Sequence, residues 1–220
     1  MCGRFSLTRS ADALAEAFQL AAVPEWTPRY NIAPTQMIAA IASQPSDPHQ
    51  FKLLRWGLVP SWAKDGSIGS KLINARAETV AEKPSFRSAF KQRRCLILAD
   101  GFYEWQRVGK QKKQPYYFQL VDRQPFAFAG LWERWQGEEA PVETCTVLTT
   151  SANELLEPIH DRMPVMLHAE SYDRWLDPTT PLAELHQLLQ PYEAHQMQRY
   201  PVSTTVNRAT TDTPECINSL

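Results

Sequence analysis

Short apolar runs of strand length, separated by turn-forming residues, dominate the middle of this chain. The clearest is residues 95–99 (CLILA), which contains no charged residue and is flanked by charges on both sides. Further strand-like segments occupy residues 37–41, 51–56, 115–120, 125–132 and 144–150. Segments of this length with turns between them predict a meander of strands that curls into a sheet or barrel, not a parallel sheet.

The length and composition fit one domain spanning residues 1–220, because 43% hydrophobic residues suffice for a substantial core. Ser10 is placed to cap a helix over 11–20. Further short helices are predicted over 86–90, 171–176 and 182–189, so the expected fold class is α+β. We also predict an irregular loop over 24–34, a closing strand over 200–207 and a loose tail over 208–220.

Several common classes of function lack support in the sequence. The longest apolar runs are too short to cross a membrane and the N-terminus lacks a signal-peptide pattern, so we expect a cytoplasmic protein without membrane contact. The four cysteines are widely spread without a C-x-x-C pair, which argues against a zinc site and a disulfide framework. No glycine-rich phosphate loop is present, so nucleotide hydrolysis is not expected.

Cys2 is the most unusual candidate for chemistry. Removal of Met1 would leave one residue that carries a free α-amine and a thiol on adjacent carbons. The amine has an ordinary pKa of ~7.7 to 8.0 and the thiol one of ~8.5, so both are reactive near neutral pH. Such a pair can condense with an aldehyde, first to an imine and then to a thiazolidine ring. The alternative is that Cys2 is an ordinary N-terminal residue.

Two residues are candidates for proton transfer. Glu104 lies between Tyr103 and Trp105, and desolvation in such a setting raises the pKa of a carboxyl group. The alternative is a strand that points its aromatic residues inward and Glu104 outward. His160 has an ordinary pKa near ~6.5, which suits acid–base catalysis, although it could equally be a hydrogen-bonded loop histidine.

The charge is distributed unevenly along the chain. Residues 71–123 contain 12 Lys and Arg against 5 Asp and Glu, whereas residues 124–220 contain 5 against 14. The basic middle includes Arg87, Lys91, Arg93, Arg94, Lys110, Lys112 and Lys113. This region could follow a phosphate backbone, and Trp56 and Trp62 near it could stack on bases, although surface lysines and core tryptophans are also common.

Separated segments of the chain match one pattern in order and at compatible spacing. They are residues 1–5 (MCGRF), 30–34 (YNIAP), 56–60 (WGLVP), 73–78 (INARAE), 100–105 (DGFYEW), 160–164 (HDRMP) and 202–207 (VSTTVN). Together these segments resemble the SOS response-associated peptidase family. Each is weak evidence alone, but the resemblance covers the chain from Cys2 to Asn207 and is specific as a set.

The resemblance implies a single domain with a mixed, barrel-like β core and short flanking helices. It implies a monomer, associated with the nucleoid, whose partner is single-stranded DNA containing abasic sites. After removal of Met1, Cys2 would form a thiazolidine cross-link to the ring-opened sugar, which shields the lesion. No cofactor and no metal are implied.

The resemblance also assigns roles to residues of this chain. Cys2 would be the nucleophile, Asn74 would orient the terminus or the sugar, and Glu104 and His160 would transfer protons. The DNA-binding set comprises Arg4, Arg76 and Arg162 as phosphate ligands, Pro34 and Trp62 as wedges beside the lesion, and Thr149 near the lesion pocket.

Two other functions remain open from the sequence. Cys2 with His160 and Asn74 could form a cysteine peptidase that acts on peptides in trans, and the same groups could remove Met1 in cis. The tryptophans and the basic middle would also suit a non-covalent reader of single-stranded or modified DNA.

Overall fold

The structure is a computed structural model, and it describes residues 2–24, 26–44, 47–109, 112–137 and 140–220. Met1, whose removal is predicted above, and Lys110 of the basic middle lie outside the described residues. The strands are β1 (Phe5–Leu7), β2 (Arg29–Ile32), β3 (Met37–Gln44), β4 (Asp47–Trp56), β5 (Asn74–Arg76), β6 (Arg94–Ala99), β7 (Gly101–Val108), β8 (Lys112–Leu120), β9 (Phe126–Gln136), β10 (Pro141–Ser151), β11 (Arg162–Pro164), β12 (Met166–Leu167) and β13 (Met197–Pro201). The α-helices are α1 (Ala11–Ala17), α2 (Arg87–Gln92), α3 (Tyr172–Leu176) and α4 (Leu182–Gln187).

Five strands close into a barrel in the order β3, β4, β10, β9 and β6, with β6 pairing back onto β3. Four of the pairings are antiparallel, and the β4–β10 pairing is parallel at Thr144 opposite Arg55. Strand β6 is buried along its whole length, as its apolar sequence predicts. The expected single domain with a mixed, barrel-like β core and a few short helices is therefore confirmed.

A second sheet of five strands, ordered β13-β8-β7-β1-β2, packs against this barrel. The fully buried ring of Phe5 on β1 lies 5.2 Å from the ring of Trp56 and 5.8 Å from that of Phe128. These two aromatic residues belong to β4 and β9. Because Phe5 is anchored in the barrel core, the described residues that precede it, from Cys2 onward, are held near the barrel as well.

The helices are short. Ser10 caps α1 as predicted, since its Oγ accepts from the backbone N–H of Ala13 at 3.3 Å. The helix ends at Ala17 rather than at residue 20, and Gln19 adopts a left-handed φ of 52° that is incompatible with continuation. Within the described ranges, no helix has both the length and the apolar character needed to cross a membrane.

Three sequence predictions at the edges of the fold are wrong. The loop predicted over 24–34 contains strand β2. The strand predicted over 200–207 ends at Pro201, and a 3-10 helix follows over Thr204–Asn207. Residues 208–220 are not a loose tail: Asp212 accepts hydrogen bonds from strand β2, and Cys216 is fully buried. Residues 208–220 are mostly polar, so a search for apolar residues does not predict that they contact the rest of the protein.

The basic middle was expected to offer its charges to a phosphate backbone, but one of its members, Arg94, belongs to the core. Its side chain is 3% exposed, and its guanidinium donates to the carbonyl oxygens of Phe90, Lys91, Trp175 and Asp177 at 2.5–2.8 Å. It therefore holds the ends of α2 and α3 to strand β6. Neighbouring Arg93 pairs with Glu133 at 2.8 Å.

Candidate active site and DNA-binding face

The pairing of β1 with β7 brings Cys2 close to Glu104. Phe5 lies opposite Phe102, and the backbone N–H of Tyr103 donates to the carbonyl of Arg4 at 3.0 Å. Because the two strands are antiparallel, the residues before Arg4 continue alongside the residues after Tyr103. The strand register therefore places Cys2 near Glu104 although 102 positions separate them in the chain.

The Cys2 side chain is fully buried, and its Sγ lies 4.0 Å from the carbonyl oxygen of Arg4. Burial, followed by the negative charge of Glu104, raises the pKa of the Cys2 thiol to about 12. The sulfur is therefore held as a neutral thiol near pH 7. This differs from the thiolate that the peptidase alternative would use as its nucleophile.

Asn74, at the start of β5, fixes the position of Cys2. Its Nδ2 donates to the backbone carbonyl of Cys2 at 2.7 Å. Strand β5 is itself held by parallel pairing with β10, where Asn74 lies opposite Val147. The other side-chain atom, Oδ1, is buried and has no hydrogen-bond partner among the described residues. Asn74 thus restrains the backbone of Cys2 and carries a buried acceptor on the same side chain.

Glu104 is 3% exposed, and burial raises the pKa of its carboxyl group to about 7, with a smaller contribution from the charge of Asp161. Strand β7 points this side chain inward, so the outward orientation weighed from the sequence is wrong. At neutral pH a group with this pKa is present in both its acid and its base form, which suits repeated proton transfer.

His160 lies half-buried in the turn before β11. Its Nδ1 accepts from the backbone N–H of Arg162 at 3.0 Å, so the neutral ring carries its proton on Nε2. The carboxylate of Asp161 is 2.9 Å from the same nitrogen and accepts a hydrogen bond from it only when Nδ1 is protonated. Burial lowers the pKa of His160, and the exposed Asp161 carboxylate offsets this only in part.

Glu104 and His160 face a common cleft of about 620 Å³. Its remaining walls are formed by Trp105, Gln106, Arg107, Lys113, Pro158, Ile159 and Asp161. Arg107 and Lys113 are cationic, Asp161 is anionic, and Lys113 belongs to the basic middle of the chain. The cleft therefore gives a ligand access to Glu104 and His160 from solvent.

Arg162 and Thr149 lie together, and Arg76 lies close enough for its charge to help lower the pKa of Glu78. The guanidinium of Arg162 forms a bidentate bond with Glu78 at 2.5 and 2.9 Å and donates to the carbonyl of Thr149 at 2.6 Å. Thr149 is fully buried and pairs with Arg76 across β5 and β10. Arg76 is exposed. A phosphate could bind the Arg162 guanidinium only if the hydrogen bonds between Arg162 and the Glu78 carboxylate were broken.

Pro34 and Trp62 occupy two separate loops. Pro34 is partly exposed and precedes Thr35, a β-branched residue with a left-handed φ of 74°. The backbone N–H of Thr35 donates to the carbonyl of Trp56 at 2.8 Å, which fixes the turn. Trp62 is 60% exposed, while Trp56 is fully buried, so only one of the two predicted surface tryptophans can meet a ligand.

The loop that carries Trp62 is tightly anchored. The indole N–H of Trp135 donates to the carbonyl of Ala63 at 2.8 Å. At its base, Gly57 and Gly69 approach so closely that a Cβ on either would lie 2.7 Å from the other's carbonyl oxygen, and Gly57 has a φ of 129°. Only glycine fits both positions. The exposed indole of Trp62 therefore stands on a rigid base.

Arg4 contacts protein groups through Nη1, which donates to Oδ1 of Asn31 and to the carbonyl of Val206, both at 2.7 Å. Burial lowers the pKa of Arg4. The roles of Asn31 and Glu78 were not predicted, although both lie inside the sequence segments quoted above. No local pattern reveals them, because their partners are distant in the chain.

No group of three or more His, Cys, Asp or Glu side chains within the described part of the chain is arranged to hold a metal ion.

The chain is similar to known proteins in both sequence and structure. The chain is 49% identical over its whole length to the abasic site processing protein YoqW of Bacillus subtilis, which it also covers completely. It is 34% identical to the abasic site processing protein HMCES of Gallus gallus, with 99% of this chain and 77% of that protein aligned. A crystal structure of a protein from Bacteroides thetaiotaomicron superposes with a TM-score of 0.88 at 27% identity, covering both chains fully.

The family model described as SOS response associated peptidase (SRAP) matches residues 1–209. This match includes Cys2, Asn74, Glu104 and His160 and ends within the segment that follows the last strand. The chain therefore belongs to the SOS response associated peptidase family.

Proposed function

We propose that this protein processes abasic sites in single-stranded DNA by capturing the sugar aldehyde on Cys2 after Met1 has been removed. The observation that carries the proposal is the hydrogen bond from Asn74 to the Cys2 carbonyl, beside a buried Glu104 whose pKa is about 7. The names of the relatives, abasic site processing proteins, support the same substrate.

The first step is opening of the sugar ring, since an abasic sugar rests mainly as a closed hemiacetal. The hydroxyl on C1′ loses its proton, O4′ gains one, and the C1′–O4′ bond breaks to give the aldehyde. Glu104 can accept the first proton and supply the second because its pKa lies near neutral pH. His160 faces the same cleft and is the alternative donor.

The α-amine of Cys2 then attacks C1′ and forms a carbinolamine. A proton from Glu104 or His160 converts the hydroxyl into a leaving water, and the nitrogen returns a proton to the same group, which gives the imine. The Cys2 sulfur adds to the imine carbon, and the thiol proton ends on the nitrogen. One water is released overall, and no oxidant or reductant is needed. Holding the amine, thiol and carbonyl together supplies an effective-molarity advantage.

The alternative of a peptidase acting in trans is supported less well. Such an enzyme would benefit from a thiolate, whereas burial and Glu104 raise the pKa of the Cys2 thiol to about 12. The buried sulfur is better matched to addition onto an imine that forms next to it. Removal of Met1 in cis remains part of the proposal, because the free amine is required.

The test uses a uracil-containing single-stranded oligonucleotide treated with uracil glycosylase. The wild-type protein should give a heat-stable complex whose mass equals protein without Met1 plus DNA minus one water. Cys2→Ala should give none. Reduction of the abasic aldehyde with borohydride before mixing is the matched substrate control and should also abolish the complex. Absence of any covalent species with the wild-type protein would refute the proposal.

A further inference from the structure

Residues 206–212, here called the C-terminal strap, are tied to Asn31 on strand β2. The Asn31 side chain is fully buried. Its Nδ2 donates to the carbonyl oxygens of Val206 at 3.2 Å, Arg208 at 3.0 Å and Thr211 at 2.5 Å. One side-chain amide thus contacts three backbone carbonyls of the strap.

Asp212 makes the second attachment of the strap. Its Oδ1 accepts from the backbone N–H groups of Tyr30 and Asn31 at 2.5 and 2.8 Å. Its Oδ2 accepts from Nε of Arg29. These three bonds cover the outer edge of β2, which is the last strand of the five-stranded sheet. The strap therefore lies along the edge of β2 where a further strand could otherwise pair, and Asp212 accepts hydrogen bonds from that edge.

The same strap contacts Arg4, which is close to Cys2 in the chain, and Trp105, which follows Glu104. Arg4, two residues after Cys2, donates to Asn31 and to the carbonyl of Val206 at 2.7 Å each. Its guanidinium lies 5.9 Å from the ring centre of Trp105, the neighbour of Glu104. The indole N–H of Trp105 in turn donates to Oδ1 of Asn207 at 2.7 Å.

We propose that the C-terminal strap, with Asn31 and Asp212 as its anchors, positions Cys2 relative to Glu104 for the covalent step. This inference rests on the proposed function. Asn31 and Asp212 are positioning residues, because they act through Arg4 and Trp105 and do not contact Cys2. An N-terminal residue is connected to the chain on one side only, so ordering it costs backbone entropy that local contacts must offset. Catalytic geometry requires placement within about 0.5 Å.

The strap is separate from the main source of stability. The closed barrel contains none of its residues, and β1 pairs with β2 at only Phe5 opposite Ile32 and Leu7 opposite Arg29, with an irregularity between them. Loosening the strap should therefore leave the barrel folded. The expected consequence is a slower reaction at the terminus and a smaller effect on unfolding.

The experiment compares full-length wild-type protein with Asp212→Asn, Asn31→Asp and the control Glu215→Ala. Asp212→Asn preserves size but removes the charge that binds Arg29. Asn31→Asp keeps the acceptor for Arg4 but loses the donor to three carbonyls. Glu215 is exposed and lies in the same terminal region. Rates of covalent complex formation are measured in single turnover with abasic single-stranded DNA, below the melting transition of every variant.

The two anchor variants should cross-link about 10- to 100-fold more slowly than wild type, because small misplacements cost rate strongly. Their affinity for DNA carrying an unreactive tetrahydrofuran site, measured in a Cys2→Ala background, should be unchanged. Glu215→Ala should match wild type in both assays. If only one anchor variant folds, that variant decides the comparison.

Wild-type cross-linking rates in the folded anchor variants would overturn the inference. So would equal losses of cross-linking and of tetrahydrofuran-site affinity, since these indicate a general structural defect. Failure of the wild-type protein itself to cross-link would instead refute the proposed function, and the inference with it. The two failures are therefore distinguished by the wild-type reaction.

Discussion

The side-chain amide of Asn74 donates to the backbone carbonyl of Cys2 over 2.7 Å, joining positions 72 residues apart. It links strand β5, which pairs with the barrel strand β10, directly to Cys2. The bond acts on the backbone of Cys2, so it restrains the α-amine and the thiol together. The consequences of this arrangement can be measured.

Asn74→Asp should slow covalent capture of an abasic site by about tenfold or more, because a carboxylate cannot donate to the Cys2 carbonyl and the terminus loses its restraint. The free energy of unfolding should fall by about 1 to 3 kcal/mol, because the Cys2 carbonyl loses its donor and a carboxylate replaces the amide. Single-turnover gel assays and thermal melting measure the two effects. Asn218→Asp, at an exposed position, is the control. A wild-type rate for Asn74→Asp would contradict the assigned role.

Glu104 should make stability depend on pH. Its pKa is raised by burial from 4.5 to about 7, so the folded state binds a proton that the unfolded state has released over this interval. The contribution is therefore fully present below pH 4.5, falls as the pH rises, and is lost above about pH 7. The total is about 3 kcal/mol. Denaturation of wild type and Glu104→Gln across this range should show the difference. Parallel curves would contradict the raised pKa.

The cysteines should resist alkylation in the native protein. All four are buried, and burial raises the pKa of Cys2, Cys95 and Cys145. Iodoacetamide at pH 8 should therefore modify none of them on the time scale in which denatured protein takes up four labels. Intact-mass spectrometry provides the count and also reports whether Met1 is present. Rapid labelling of Cys2 in native protein would show that its thiol is accessible.

Arg94 should contribute to folding and not directly to DNA binding. Arg94→Met leaves four backbone carbonyls without their donor, and we expect the free energy of unfolding to fall by about 3 kcal/mol. Arg87→Ala, at an exposed position in the same basic region, should leave stability unchanged. Urea denaturation distinguishes the two. Equal stability of both variants would contradict the structural role of Arg94.

Glu78→Gln should strengthen binding of unmodified single-stranded DNA. Glu78 occupies the guanidinium of Arg162 in a bidentate pair, and Arg162 holds the pKa of the Glu78 carboxyl below its usual range. Loss of that charge should release Arg162 for a phosphate, and the salt dependence should steepen by about 0.7 per phosphate contacted. Fluorescence anisotropy at several salt concentrations measures this slope. Glu82→Gln, which is exposed nearby, is the control, and identical slopes for the two variants would exclude the release mechanism.

The strand-length apolar runs were sufficient to predict the barrel-like core. A short apolar or alternating run is a local signal, and it indicates a buried strand without knowledge of distant residues. The edges were predicted less well. Strand β2 and the ordered residues 208–220 depend on Asp212 and Asn31, whose hydrogen bonds join positions about 180 residues apart. Such polar contacts have no sequence periodicity. The predicted surface role of Trp56 was wrong for a similar reason, since the Phe5 ring covers it in the core.

The sequence by itself determined the β-rich, single-domain class, the family resemblance and the residue types available for chemistry, including a cysteine at position 2 and a carboxyl group between aromatic residues. Only the tertiary structure decided that Glu104 points inward, that Asn74 holds the Cys2 carbonyl, and that Arg162 is paired with Glu78. The physical reason is that pKa values and orientation depend on burial and on distant partners. These exist only when the strands β1, β5 and β7 have been brought together.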